Sequence, residues 1–184
     1  MTLIPFESSP TDIDGLAVIT PKQVFDERGG VRELFRQGTY AALATAALTR
    51  CAQVNLTETR PGAIRGLHGE TMTKLVGVVA GEAFGAYVDA RSGSASFGRV
   101  VTVPLRLGLQ VLVPPGVLNG MQAGPSGCQY LYCFDEEWRP DMPGVAANPL
   151  DEGLAIAWPI AVDPADRSLL SERDASLPPF SSLG

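Results

Sequence analysis

Histidine occurs once in the 184 residues, at position 68. Metal sites built on two or three imidazoles are therefore excluded, and any imidazole chemistry near neutral pH must use this one ring. Cysteine is nearly as scarce: Cys51, Cys128 and Cys133 are odd in number and form no Cys-x-x-Cys pair. That argues against a disulfide framework or a thiolate zinc site and fits a reducing cytosol. Positive charge is also short, with 14 Lys and Arg against 20 Asp and Glu, a net charge of −6. Neither nucleic acid nor an anionic membrane is expected as a partner, and an anionic ligand would have to be met by local arginines and lysines. No apolar run approaches the roughly 18 residues of a membrane span. The opening stretch MTLIPFESSPTDID lacks a basic segment leading into a long apolar one. Export by a signal is not expected, and a cytoplasmic location is.

The residues that are present describe a globular chain, 45% hydrophobic and 18% charged, of a length that suits one domain. Short runs rich in Val, Ile and aromatics recur between Gly and Pro at 51–58, 74–80, 83–89, 99–105, 108–113, 129–134 and 154–160. Seven short strands separated by turns predict an all-β sandwich or barrel. The Ala-rich stretch 39–50 predicts the one internal helix, and Ser171 with Asp174 three residues on predicts a second short helix with a capped start. By composition the first dozen residues and the last few, 1–12 and 178–184, are expected to be loose.

Strand alternation sorts the polar residues. Lys74 shares a face with Val76 and Val78; Tyr130, Tyr132 and Phe134 share another; Gln53 and Asn55 share a third. Several polar tips thus converge on one barrel interior, the way a pocket is made inside an apolar scaffold. Just before the Lys74 strand, Arg65-Gly66-Leu67-His68 places an arginine and the only histidine three apart. Taken singly, each of these residues has a plainer reading. Asp174 can be a helix-capping residue, Tyr132 a core aromatic, Lys74 a strand-edge lysine, Arg28 part of a solvated turn and Trp138 an exposed loop side chain.

The order of the motifs resembles the dTDP-4-dehydrorhamnose 3,5-epimerase family, metal-independent sugar-nucleotide epimerases of the cupin superfamily. The matching pieces begin with Asp26-Glu27-Arg28-Gly29 and Glu33, Gln53-Val54-Asn55, Arg65-Gly66-Leu67-His68 and Lys74-Leu75-Val76. They continue through Val88-Asp89-Ala90-Arg91, Phe97-Gly98, Pro114-Pro115-Gly116, Tyr132, Ala155-Ile156-Ala157-Trp158-Pro159 and Ser171-Glu172-Arg173-Asp174. The resemblance implies a cupin or jelly-roll β-barrel with short peripheral helices, a single domain over 1–184 whose core runs from residue 25 to residue 174. It also implies a dTDP-sugar substrate and no cofactor or metal. A homodimer made by exchange of an N-terminal strand follows from it as well. It casts His68 as the base held by Asp174, Lys74 as the stabiliser of an enolate and Tyr132 as the acid. Arg28 from a neighbouring subunit, Arg65 and Arg173 would meet the diphosphate, Trp138 would stack on the thymine, and Glu33, Gln53, Asn55 and Asn119 would complete the substrate contacts. Such residue types suit the reaction, because a ketone at sugar carbon 4 acidifies the hydrogens on carbons 3 and 5.

This chain departs from the family pattern in three places. Leu118-Asn119-Gly120-Met121 stands where an Ala-His-Gly-Phe turn is usual, the loop between His68 and Lys74 is short, and Val31 replaces a Phe. Two other readings stay open on sequence grounds: a carbon-3-only epimerase for a secondary-metabolite deoxysugar, and a non-catalytic sugar-nucleotide-binding cupin.

Overall fold

The computed structural model describes residues 1–43 and 48–183. Twelve strands are found among them: β1 (Thr2–Ile4), β2 (Glu7–Pro10), β3 (Ala17–Thr20), β4 (Gln23–Asp26), β5 (Gly29–Arg32), β6 (Gln53–Thr59), β7 (Ile64–Glu70), β8 (Lys74–Asp89), β9 (Val100–Arg106), β10 (Gln110–Val113), β11 (Val117–Phe134) and β12 (Gly144–Ala146). Two short helices, α1 (Gln37–Ala41) and α2 (Glu172–Ala175), lie outside the sheets. All strand pairs among the described residues are antiparallel, the pairing common in sheets built from hairpins and Greek keys.

The long strands β8 and β11 organise the molecule. They pair from Val117 with Asp89 to Phe134 with Lys74, with register shifts near Ala123/Cys128 and Gln129/Tyr130 that let the ribbon bend. On its other edge β8 takes β10 along its first part and β9 along its second. β11 likewise takes β7 and then β6. The two expected strands 74–80 and 83–89 are thus one element, bent where Gly81 adopts a positive φ of 73°. The side chains of these strands enclose an apolar core that includes Val76, Val78, Tyr87, Val111, Val113, Met121 and Tyr130. A separate three-stranded sheet joins β1, β4 and β5.

Three expectations need correction. The helix predicted over 39–50 is only the five-residue α1, ending at Ala41, and residues 48–50 are not helical. The rest of that prediction, 44–47, lies outside the described residues. Ala-rich propensity is worth little per residue against the cost of nucleation, and what holds α1 is the buried Tyr40, whose hydroxyl donates to Gln110 Oε1 at 2.6 Å. The strand predicted over 154–160 does not form. Ala155 ends a 3₁₀ turn in the left-handed region with φ 49°, and Pro159 has no N–H to give a ladder. Of the two ends expected to be loose, residues 1–12 supply β1 and β2, which pair with β4 and β3, and at the other end Phe180–Leu183 form a 3₁₀ turn whose Phe180 ring packs 5.3 Å from that of Phe97.

Candidate active site

A cavity of about 1090 Å³ opens beside the β11 ribbon and is walled by residues of β6, β7, β8, β11, β12, the loop 138–142 and the segment 167–174. Strand register explains how its polar groups meet. Asn55, Tyr132 and Val76 form one cross-strand row, and Gln53, Phe134 and Lys74 form the next. Tyr132 stacks on Phe134 with centroids 5.7 Å apart and leans on Tyr130 at 5.0 Å, so the phenol is fixed in an aromatic ladder. Burial pushes its ionisation up, keeping the hydroxyl protonated well above neutral pH.

His68 lies on β7 between Asn119 of β11 and Ala146 of β12. It reaches that position because Gly66 lets β7 run flush against β11: at φ 117°, a Cβ there would stand 2.6 Å from Gly120 Cα. The Nε2 of His68 is 2.9 Å from Asp174 Oδ1. Asp174 is the third residue of α2, and its own N–H is capped by Ser171 Oγ at 3.0 Å. Both readings of Asp174 therefore hold: its backbone belongs to the cap and its side chain to the histidine. Burial alone would raise the Asp174 carboxyl, but hydrogen bonds from His68, from Ser171 and from the Gly66 N–H hold it below its ordinary value. With Nε2–H donated to a carboxylate, Nδ1 carries the lone pair able to take a proton.

Lys74 is buried at the start of β8. Its ammonium forms an ion pair with Glu70 and donates to the His68 carbonyl at 3.1 Å. Burial pulls its pKa down, and Glu70 opposes that shift. Asn119 is also buried, and its Nδ2 has no hydrogen-bond partner among the described residues. Arg65, held by Thr59 Oγ1 at 3.0 Å, joins Arg60, Arg139, Arg167 and Arg173 on the cavity wall, a cationic lining in a chain of net negative charge.

Of the residues expected from sequence, His68, Asp174, Lys74, Tyr132, Asn55, Arg65, Asn119, Trp138 and Arg173 all line this cavity. Gln53 does not; it stands one step behind, donating to Asn55 Oδ1 at 3.0 Å and accepting the Trp138 N–H at 2.8 Å. Arg28 and Glu33 lie elsewhere. Arg28 is exposed in the β4–β5 turn and pairs with Asp26 at 2.7 Å. Glu33 binds Arg36 at 2.7 Å and Lys22 at 3.4 Å, contacts that take its carboxyl down to about 2. Sequence reasoning missed Glu70, Arg60, Arg139 and Arg167. The glycines at 66 and 69 made the segment around Glu70 read as loop, and loop arginines carry no periodicity. Among the described residues no cluster of three or more His, Cys, Asp or Glu is placed to hold a metal, and no helix is long and apolar enough to cross a membrane.

A family model described as dTDP-4-dehydrorhamnose 3,5-epimerase matches residues 10–182. An enzyme of that name from Mycobacterium tuberculosis is 33% identical over 178 residues, covering 94% of this chain and 86% of the relative. Among solved structures, NovW, a 4-keto-6-deoxy sugar epimerase from the novobiocin biosynthetic gene cluster of Streptomyces spheroides, superposes with a TM-score of 0.87 at 28% identity. The alignment covers 97% of this chain and 89% of NovW. ChmJ, a 3'-monoepimerase from Streptomyces bikiniensis solved with dTDP-quinovose, gives 0.84 at 29% identity over 94% of this chain and 87% of its own. The barrel is the jelly roll of these epimerases, and the chain belongs to the dTDP-4-dehydrorhamnose 3,5-epimerase family.

Proposed function

We propose that this protein epimerises a dTDP-4-keto-6-deoxyhexose at carbons 3 and 5, without metal or redox cofactor. The observation that carries the reading is the His68–Asp174 pair, 2.9 Å apart, in one cavity with Lys74 and Tyr132. His68 Nδ1 takes the proton from the carbon beside the ketone while Nε2–H stays on Asp174. The electron pair moves to the ketone oxygen, where the Lys74 ammonium offsets the enolate charge. Tyr132 gives its phenolic proton to the other face of that carbon, inverting it, and solvent restores both residues. The second acidic carbon follows by the same route.

Arg65 and Arg173 take the diphosphate, a task suited to planar guanidinium groups. Trp138, 43% exposed at the cavity rim, offers a face to the thymine. The unpartnered Asn119 Nδ2 and Asn55 make the neutral contacts to the sugar. Gln53 supports Asn55 and Trp138 from behind. Arg28 is not among the residues that line this chain's own cavity and sits in the turn of the separate three-stranded sheet, which supports a homodimer in which N-terminal strands exchange and the partner subunit's Arg28 completes the diphosphate site. Glu33 then orders the base of that arm through Arg36 and Lys22. The proposed setting is the cytoplasm, in deoxysugar biosynthesis.

The similarity to the monoepimerase ChmJ favours a second reading, inversion at carbon 3 alone. Incubation with dTDP-4-keto-6-deoxyglucose in deuterated water distinguishes the two. Label at both carbons with inversion is expected, label at carbon 3 alone establishes the second reading, and no label overturns both.

A further inference from the structure

We propose that Glu70 is a positioning residue for Lys74: it fixes the direction of the ammonium and keeps it charged, so that its one remaining N–H is presented to the substrate ketone oxygen. The inference rests on the proposed epimerase reading for its substrate, and on geometry for the rest. An ammonium has three N–H donors in fixed tetrahedral relation. In Lys74 one is taken by the Glu70 carboxylate and one by the His68 carbonyl at 3.1 Å. Among the described residues no third acceptor is present, and Nζ belongs to a side chain that walls the cavity. Two bound donors determine where the third points.

The carbonyl that takes the second donor belongs to the base itself. The proton acceptor and the electrophile are thereby tied through one residue, and the distance between them does not depend on a flexible lysine stem. Glu70 also meets an electrostatic need. The Lys74 side chain is only 4% exposed, and a buried ammonium with no counter-ion loses its proton rather than stay charged. A neutral amine would give the enolate oxygen far less stabilisation.

The other titratable groups around the pair do not supply this charge. On β7 there is His68, whose ring faces Asp174; on β11 there is Tyr132, protonated. The Asp174 carboxylate on α2 is committed to His68, and Asp135, in the loop after β11, accepts the Thr73 N–H at 2.9 Å. Arg65 on the same wall is cationic and would oppose the lysine's charge. Only Glu70 favours it by direct contact.

The chain has two lysines, Lys22 and Lys74, so a sample labelled with ¹³C-lysine shows two side-chain signals, with the exposed Lys22 as internal control. Titrating both signals in the full-length protein, with no substrate present, should show the Lys74 midpoint falling by about one pH unit or more in Glu70→Gln while Lys22 stays put. The alkaline limb of kcat/KM for deuterium exchange should move down with it. Glu70→Asp, which keeps the charge on a shorter stem, should hold the midpoint near wild type yet lower kcat at least tenfold with KM little changed. A folded Glu70→Gln with an unshifted Lys74 midpoint overturns the charge-holding role, and an unchanged kcat in Glu70→Asp overturns the positioning role. If Glu70→Gln does not fold, Glu70→Asp still decides through kcat. If the wild type exchanges no deuterium, the epimerase reading and with it the positioning role fall, while the lysine titration still decides whether Glu70 holds the charge.

Discussion

The Nε2 of His68 and the Oδ1 of Asp174 stand 2.9 Å apart although 106 residues separate them in the chain. A strand and a helix cap meet there. β7 carries the imidazole in the body of the sheet, and the Ser171 cap fixes the backbone of Asp174 so that its carboxylate is free to receive the ring. In the proposed mechanism this contact orients the ring of the base and fixes its tautomer.

His68→Ala should abolish deuterium exchange at both carbons in a folded protein. Asp174→Asn should lower kcat by orders of magnitude with the fold intact, toward the loss of about 10⁴-fold seen when such an orienting carboxylate is removed. Single-turnover exchange monitored by NMR makes the measurement. A folded His68→Ala variant near the wild-type rate would remove the base assignment.

Exhaustive dialysis against a chelator should leave turnover unchanged, since the proposed chemistry offsets the enolate charge with Lys74 and not with a Lewis acid. Activity lost in chelator and regained with zinc or iron would refute this.

Trp138→Ala should weaken dTDP binding by about 1 to 3 kcal/mol, the worth of one base stacked on an aromatic ring. Gln53→Ala should weaken it by a smaller factor, because Gln53 accepts the Trp138 N–H and does not itself reach the cavity. Titration calorimetry with dTDP checks both, and equal affinity in Trp138→Ala would reassign the ring to packing.

Asp89 is expected to matter for stability and not for catalysis. It closes β8 with a fully buried carboxylate that accepts from Arg91 at 2.8 Å and from Ser94 and Ser96, each at 2.6 Å. Burial alone would raise its pKa, but these donors win and hold it well below the usual carboxylate range. Because the folded value is depressed, its contribution is fully present above the unfolded value of about 3.9 and is lost as pH falls through the folded one. Asp89→Ala should cost about 1 to 3 kcal/mol by taking the acceptor from Arg91, Ser94 and Ser96. The variant should also lose part of the acid dependence of unfolding seen in the wild type. Denaturant melts at pH 7 and near pH 3 make the comparison.

The strands that carry their own apolar alternation, such as β6, β9 and β10, were legible within one or two residues. Those that depend on a neighbour were not. β1 and β2 have exposed side chains and exist through pairing with β4 and β3. β7 is interrupted by Gly66 and Gly69, residues it needs so that its backbone can lie close to β11. The same dependence separates the site residues. Lys74, Tyr132 and Asn55 follow from strand alternation, whereas Glu70 has no signal of its own, since its partner is met only after the turn at 71–73 brings β8 back past the end of β7.

Tyr132 tests the distinction between double and single inversion. It sits one cross-strand row from Lys74 and is fixed by stacking on Phe134, so Tyr132→Phe removes an oxygen without disturbing the ladder. In the proposed mechanism, proton abstraction by His68 and enolate stabilisation by Lys74 survive that change and donation from the opposite face does not. Inversion at carbon 5 has the greater need of that donor, because the sugar must adjust its ring to bring its second acidic hydrogen to the same histidine. Tyr132→Phe should therefore still exchange deuterium at carbon 3 while losing inversion at carbon 5, with dTDP affinity within about twofold of wild type if the nucleotide contacts are intact. NMR of the product, reading label and configuration at each carbon separately, makes the test. Undiminished inversion at carbon 5 in the folded variant would assign the acid to another group, and Asn119, as an amide, could not be that group.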